Sequence, residues 1–254
     1  MADGDARVRD PKAGVSDLPV RLASAIVMLV LAGGALWLGG WFWTAFVVLV
    51  ACGVVWEWNK LIERFGLTGM GETIWFFAGV VYVGGAAIAM LAVRNGRQVL
   101  PLDPEQYGYG PLEVLIGFVL PIVAVDVGAY FAGRAIGGPK IAPRISPAKT
   151  WAGLGGGALL AGLVGVAAEI ADVGPAAVPG YTALGLIAAL VGGLLIAVIA
   201  QSGDFFESWM KRRAGVKDSG SLIPGHGGLF DRLDGFISVF FVWFMIATAT
   251  TLLG

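Results

Sequence analysis

The chain has 254 residues, of which 57% are hydrophobic, 14% are charged and 40 are glycine, and its formal net charge is −1. Together with a mean hydropathy of +0.80, this composition excludes a disordered, collagen-like or soluble globular protein and indicates a helical protein that crosses the membrane several times. The single cysteine, Cys52, excludes a disulfide framework, and its apolar surroundings predict a side chain packed in the core.

Seven apolar runs are long enough to cross a membrane as helices. They cover residues 20–39, 41–57, 73–93, 113–133, 151–169, 178–202 and 236–253. Allowing for one or two further spans, the predicted fold is an all-α transmembrane bundle of about seven to nine helices. Residues 1–19 form a polar tail, and the run after it is too long for a cleavable signal, so we expect it to remain as a helix.

Lysine and arginine divide unevenly among the segments outside these runs. Fifteen lie at or before the start of the first span and in segments 58–72, 134–150 and 203–235, whereas segment 94–112 holds two and segment 170–177 holds none. Cytoplasmic segments of membrane proteins carry such an excess of basic residues. The distribution therefore predicts a cytoplasmic N-terminus and cytoplasmic loops at 134–150 and 203–235.

Tryptophans concentrate near the predicted span ends. They include Trp41, Trp43, Trp56, Trp58 and Trp75. Because indole rings favour the boundary between lipid and water, we expect these side chains to form an interfacial belt.

Asp126 interrupts the apolar run 113–133, and an ionisable residue at that depth is costly enough to indicate a functional site. In the loop that follows, the pattern predicts Ser146 as a helix N-cap, Pro147 as the first helical residue and Lys149 in the first turn. A helix N-terminus beside a lysine attracts anions. A capped helix with a lysine that only sets topology explains the same residues, so both interpretations stay open.

Segment 201–235 carries ten charged residues and the only histidine, between two strongly apolar runs. Its first part places polar side chains on one helical face and apolar side chains on the other. The polar face comprises Asp204, Glu207, Ser208, Lys211 and Arg212. This pattern predicts an amphipathic helix at the cytoplasmic surface, whose charges are either solvated or line a site.

The second part of the segment contains a glycine-rich loop followed by two acids. Gly225, Gly227 and Gly228 allow main-chain N–H groups to approach a phosphate closely. Asp231 and Asp234, spaced by three, present two carboxylates from one helix face, and a hard cation such as Mg²⁺ would offset their repulsion. The nearby basic residues suited to neutralising phosphates are Lys211, Arg212 and Lys217.

In this order, the motifs resemble the C-terminal motif of the phosphatidate cytidylyltransferases, also called CDP-diacylglycerol synthases. The matching residues are Ser208, Lys211, Arg212, Lys217, Asp218, Pro224, Gly225, His226, Gly227, Gly228, Asp231, Arg232 and Asp234. The residues around Asp126, Lys149 and Asp204 are similar too. Two positions depart from the pattern: Ala152 precedes Gly153 where the family usually has glutamate, and Gly235 replaces a small polar residue.

The resemblance implies transfer of a cytidylyl group from CTP to phosphatidic acid, which forms CDP-diacylglycerol and pyrophosphate in phospholipid biosynthesis. It implies a multi-pass protein of the cell's inner membrane that forms a homodimer and has no nucleic-acid partner. The transmembrane helices of 20–120 would then precede a catalytic region at 121–254.

For the site, the resemblance implies Mg²⁺ with K⁺ as a possible second cation, both held by Asp204 and Asp231. We expect supporting roles for Asp126, Asp218 and Asp234. Phosphates would be bound by Lys149, Lys211, Arg212, Lys217 and the main chain of 225–228, close to Ser208. His226 would either donate to a phosphate or orient an aspartate.

Two other functions compete with this interpretation. A CDP-alcohol phosphotransferase is excluded because its paired Asp-Gly and Gly-x-x-x-Asp-x-x-x-Asp pattern is absent. A cation-coupled transporter that uses Asp126, Asp204 and Asp231 stays as the alternative, although transport predicts acids spread through the middle of the bilayer.

Overall fold

The computed structural model describes residues 17–96, 110–171 and 183–253. Within these ranges, seven helices are long and apolar enough to cross a membrane. They are α1 (Asp17–Leu38), α2 (Gly40–Glu63), α3 (Met70–Arg94), α4 (Pro111–Ala135), α5 (Trp151–Ile170), α6 (Ala183–Arg213) and α7 (Phe230–Leu253). The predicted all-α bundle is confirmed. The tail up to residue 16 and the start of the sixth run, 178–182, lie outside the described residues.

Helices α4 and α5 pack against each other through glycines. A Cβ atom on Gly128 would lie 2.5 Å from the carbonyl oxygen of Gly156, and one on Gly157 would lie 2.7 Å from that of Val125. Only glycine allows two backbones to approach so closely. This contact fixes α4 against α5 at the end of the bundle where α4 ends and α5 begins.

The core contains two of the tryptophans that were expected at the interface. Trp43 and Trp58 are buried, and the Trp58 ring packs against Phe206 and Phe230 at centroid distances of 5.7 Å. The Trp58 indole N–H donates to the Trp75 carbonyl oxygen at 2.9 Å. The belt prediction is therefore wrong for these two, because proximity to a span end does not distinguish a lipid-facing ring from a packed one.

Cys52 is exposed on α2, so its predicted place in the core is also wrong. In a membrane helix the residues that face lipid are as apolar as those that face other helices. Apolar neighbours in the sequence therefore do not predict burial.

The loop 134–150 folds differently from the prediction. Residues Lys140–Ala142 (β1) and Ser146–Thr150 (β2) form an antiparallel hairpin, so Ser146 is not an N-cap and Lys149 lies in a strand. Helix α5 begins at Trp151 and is capped by Thr150, whose hydroxyl accepts from the Gly153 N–H at 3.0 Å. Pro147 is compatible with this arrangement because both strands of a two-stranded sheet are edges.

The predicted surface helix at 204–212 is the last part of α6, which continues to Arg213 without interruption. The connection to α7 is therefore 214–229, shorter than the expected loop of 203–235. A long charged stretch after an apolar one does not mark a helix end, because a helix can leave the membrane and continue.

Candidate active site

Polar side chains converge at the end of the bundle where α2, α4 and α6 end and α3, α5 and α7 begin. They form two groups on either side of the α6–α7 contact. We call them the Asp204 cluster (Asp126, Lys149, Asp204 and Asp234) and the Lys211 cluster (Glu207, Lys211, Ser219 and Asp231).

The Asp204 cluster combines residues from four elements. The Lys149 Nζ lies 2.6 Å from Asp204 Oδ2, and the two side chains are 24% and 26% exposed. Asp126 and Asp234 both interact electrostatically with Lys149 and Asp204. Three acidic side chains therefore lie near one ammonium group, and Lys149 and Asp204 remain partly exposed.

Tight helix packing brings the carboxylates of the Asp204 cluster together. A Cβ atom on Gly203 would overlap the Ser238 hydroxyl and lie 2.6 Å from the Asp234 carbonyl oxygen, so α6 and α7 touch one residue before Asp204. The β1–β2 hairpin supplies Lys149 from the other side. The Arg212 Nε donates to the Ile145 carbonyl at 3.3 Å and ties this hairpin to α6.

The Lys211 cluster is more buried than the Asp204 cluster, and its lysine contacts two carboxylates directly. The Lys211 Nζ lies 2.5 Å from Glu207 Oε2 and 2.6 Å from Asp231 Oδ1, and the Glu207 side chain is only 1% exposed. The second oxygen of Asp231 accepts from the Ser219 N–H, the Ser219 hydroxyl and the Gly228 N–H, each at 2.9 Å. Both oxygens of Asp231 thus have partners within the protein.

The loop 214–229 turns back on itself above this cluster. The Ile223 N–H donates to the Gly227 carbonyl, and the His226 N–H donates to the Ile223 carbonyl, each at 3.0 Å. Gly225 and Gly227 have φ values of +75° and +84°, which favour glycine. The N–H groups of His226 and Gly228 are therefore engaged inside the protein.

The remaining predicted residues of the loop lie around these clusters. The His226 Nδ1 lies 2.8 Å from the Ser24 hydroxyl of α1, and the predicted role of this ring towards a phosphate or an aspartate stays a prediction. Lys217 and Asp218 are exposed. The Ser208 hydroxyl lies 3.4 Å from Asp204 Oδ1, at the edge of hydrogen-bonding distance.

Two polar residues of the site, Glu57 and Ser219, are absent from the predicted site, and a third, Glu207, was placed only on the polar face of the predicted amphipathic helix. Glu57 in α2 is completely buried and contacts the 214–229 loop, Glu207 pairs with Lys211, and Ser219 holds Asp231. Glu57 carried a signal that could have identified it, since it is an acid at the end of an apolar run. Ser219 carried none, because a serine in a polar loop is ordinary.

The donor chemistry of the clusters fits a hard divalent cation. Within the described ranges, His, Cys, Asp and Glu side chains form no group of three or more that could hold a metal ion by itself. Mg²⁺ usually takes one or two protein carboxylates and completes its coordination with phosphate oxygens and water. Asp204 and Asp231 could each supply one such carboxylate after exchange of their lysine contacts, and the second oxygen of Asp204 is held only weakly, by Ser208 at 3.4 Å.

Comparison with known proteins identifies the family. A sequence model of the cytidylyltransferase family matches residues 70–250. A phosphatidate cytidylyltransferase of Brucella suis biovar 1 is 31% identical over an alignment of 265 positions, which covers 88% of this chain and 91% of that protein. The phosphatidate cytidylyltransferase of Pseudomonas aeruginosa is 29% identical over 256 positions, covering 85% and 92%. These matches confirm the resemblance of the motifs, and the chain belongs to the cytidylyltransferase family.

Proposed function

We propose that the protein transfers a cytidylyl group from CTP to phosphatidic acid and releases CDP-diacylglycerol and pyrophosphate, as a step of phospholipid biosynthesis. The observation that carries this proposal is the convergence of Lys149, Asp204, Lys211 and Asp231 at one end of the bundle. These residues come from β2, α6 and α7, and they are the positions that match the family motif.

The reaction is a displacement at phosphorus. A phosphate oxygen of phosphatidic acid attacks the α-phosphorus of CTP, a new P–O bond forms, and the bond to the β-phosphate oxygen breaks. A phosphate monoester is already a competent nucleophile, so the protein needs no strong general base. Its work is to position two polyanions and to offset the charge on the leaving pyrophosphate.

The basic residues would bind the phosphates. Lys149 belongs to the Asp204 cluster, and Lys211 belongs to the Lys211 cluster. Each lysine contacts a carboxylate, and a phosphate oxygen could take the place of that carboxylate. The exposed Lys217 and Arg212 would contact phosphates at the rim. In the main chain of 225–228, the N–H groups of Gly225 and Gly227 would join them, because those of His226 and Gly228 donate within the protein. Ser208 would orient Asp204.

Asp204 and Asp231 would hold Mg²⁺, with K⁺ as a possible second cation, and Asp126, Asp218 and Asp234 would support them. When bound, Mg²⁺ would neutralise charge that develops on the transferring and leaving phosphates. The support for Asp204 is its partly exposed position near Asp126 and Asp234, and the support for Asp231 is its place in the matched motif beside Lys211.

The site would lie at the cytoplasmic surface, where a lipid phosphate and a soluble nucleotide can meet. Seven apolar helices make the chain a multi-pass membrane protein. The excess of basic residues in segments 134–150 and 203–235 supports their cytoplasmic location and that of the N-terminus in the bacterial inner membrane. A homodimer would be consistent with the family resemblance.

Purified protein in detergent, given labelled CTP, phosphatidic acid and Mg²⁺, tests the proposal. We expect a labelled lipid with the mobility of CDP-diacylglycerol, formed only when phosphatidic acid is present. If no such lipid forms while reconstituted protein moves cations across vesicles, the transporter alternative is correct. The grouping of Asp126 with Asp204 and Asp234 near one end of the bundle argues against a coupling path across the membrane.

A further inference from the structure

Glu57 is a buried carboxylate that the proposed chemistry does not use directly. It lies in the apolar helix α2, far from the motif in the sequence, and its side chain is 0% exposed. An acidic residue in a membrane helix is costly and is retained for a reason other than packing. Its contacts show what that reason is.

The Glu57 Oε2 binds two groups that belong to the site. It accepts from the Phe230 N–H at 2.8 Å, and it lies 3.2 Å from the Ser219 hydroxyl. Phe230 is the first residue of α7, so Glu57 satisfies an N–H group that the helix itself cannot, and its charge opposes the positive end of the helix dipole. Asp231, the next residue, is thereby held in place.

Ser219 connects Glu57 to Asp231. Its hydroxyl lies 3.2 Å from Glu57 Oε2 and 2.9 Å from Asp231 Oδ2, and its N–H also donates to Asp231. The Ser219 hydroxyl thus lies between the two carboxylates and shares its single hydrogen between them. A displacement of Glu57 would therefore move the turn at 219 and the carboxylate of Asp231 together.

Two glycines in the loop leave room for the Glu57 carboxylate. A Cβ atom on Gly220 would overlap Glu57 Oε1, and one on Gly228 would lie 2.8 Å from Glu57 Oε2. The Glu57 Oε1 is buried without a hydrogen-bond partner among the described residues, so the carboxylate is not optimal for stability. A Cβ atom on Gly228 would also overlap the Ser219 hydroxyl, so this glycine of the motif leaves room for both Ser219 and Glu57, and it donates its N–H to Asp231.

We propose that Glu57 is a positioning residue for the transfer reaction, which holds the 214–229 loop and the start of α7 so that Asp231 and Lys211 face the phosphates. The proposal rests on the proposed function. Glu57 lies in the N-terminal half of the chain, outside the segment 70–250 that matches the family model. Through Ser219 and Phe230 it would nevertheless influence the site.

The test uses the full-length protein with four variants. Glu57→Gln keeps the size and one acceptor oxygen for the Phe230 N–H, whereas Glu57→Ala removes both contacts. Ser219→Ala breaks the bridge from the other side. Glu63→Ala is the matched control, because Glu63 is exposed on the same helix and contacts only Asn59 through the hydrogen bond described.

The measurement is the rate of CDP-diacylglycerol formation per monodisperse protein as a function of Mg²⁺ concentration. We expect Glu57→Ala to lower kcat on the order of 10²-fold, because small misplacements of catalytic groups have effects of that size. The Mg²⁺ concentration for half-maximal rate should rise severalfold, Glu57→Gln should restore most of the rate, and Glu63→Ala should match wild type. Because Glu57 and Ser219 act through one bridge, their alanine effects should not add.

Several results would overturn the proposal. One such result is a wild-type rate for Glu57→Ala. Another is a lower yield of folded protein whose kcat and Mg²⁺ dependence are both unchanged. Absence of both Glu57 variants from the folded fraction would make Glu57 a folding residue only. Wild-type protein that forms no CDP-lipid would instead refute the proposed function itself, so the two failures are distinguishable.

Discussion

The Asp204 cluster and the Lys211 cluster each contain one lysine and acids from α6 and α7, but they are built differently. The Asp204 cluster is partly exposed and has three carboxylates around one lysine. The Lys211 cluster is more buried, and every oxygen of Asp231 has a partner in the protein. In the first arrangement one oxygen of Asp204 is held only weakly and is open to a cation, whereas in the second a cation would have to displace Lys211 from Asp231.

The largest expected effect follows from removal of one carboxylate charge in either cluster. Asn at position 204 or 231 keeps the size and one acceptor oxygen, so the protein should still fold, although Asp231→Asn also weakens the contact with Lys211 and should lower the melting temperature. Turnover should fall on the order of 10²-fold or more, since groups that stabilise transferring phosphates are commonly worth several kcal/mol. The rate of CDP-diacylglycerol formation, measured after a check of yield and monodispersity, decides the outcome. Near-wild-type turnover in either variant would remove that carboxylate from the metal site.

Replacement of Lys211 by methionine should lower the stability of the fold, because the Lys211 cluster is more buried than the Asp204 cluster. The change leaves Glu207 and Asp231 together without their shared cation, and loss of one partner of a buried pair costs about 3–5 kcal/mol. We expect a clearly lower melting temperature in detergent as well as lower activity. Lys60→Met is the control, because the exposed Lys60 lies over the Trp56 ring and outside both clusters. Equal melting temperatures for the two variants would mean that the Lys211 cluster does not stabilise the fold.

Lys149→Ala should affect substrate binding more than stability, because Lys149 and its partner are partly exposed. We expect the KM for CTP or phosphatidic acid to rise by about tenfold, the value of one charge-assisted contact. Lys140→Ala, in the paired strand of the same hairpin, provides the control. If Lys149→Ala kept the wild-type KM, as the Lys140→Ala control should, Lys149 would contribute only to the membrane topology.

Asp126→Asn should have a smaller effect than Asp204→Asn, because Asp126 acts on the cluster through charge and no hydrogen bond or ion pair to it is described. We expect a loss of about tenfold or less in turnover, seen in the same assay. A loss as large as that of Asp204→Asn would place Asp126 among the direct cation ligands.

Ala152→Glu should have the smallest effect. Ala152 lies in the first turn of α5, directly after Thr150 and Trp151, where an acid is favourable to the helix dipole by about 0.3–1 kcal/mol. Melting temperature and kcat should stay near wild type if the glutamate usual in the family is structural. A strong gain in turnover would show that this acid takes part in the site.

The sequence allowed the helices and the motif to be predicted because both depend on local patterns. Seven apolar runs became seven helices, and Lys149, Asp204, Lys211 and Asp231 lie at the same end of the bundle. Lys149 was placed in a helix because Ser146-Pro147 is a good helix start, and only the pairing of 140–142 with 146–150 makes it a strand. The contact of Glu57 with Ser219 joins residues 162 positions apart, so no local pattern could reveal it.

Direct cation binding tests most clearly whether the two clusters differ as the account requires. Mn²⁺ can replace Mg²⁺, and its binding to wild type and to the Asp204→Asn and Asp231→Asn variants can be followed by electron paramagnetic resonance in the presence of CTP. We expect Asp204→Asn to weaken Mn²⁺ binding by at least about tenfold, with a loss for Asp231→Asn as well. Unchanged Mn²⁺ affinity in Asp204→Asn would contradict the assignment of the open, negatively charged cluster as the cation site.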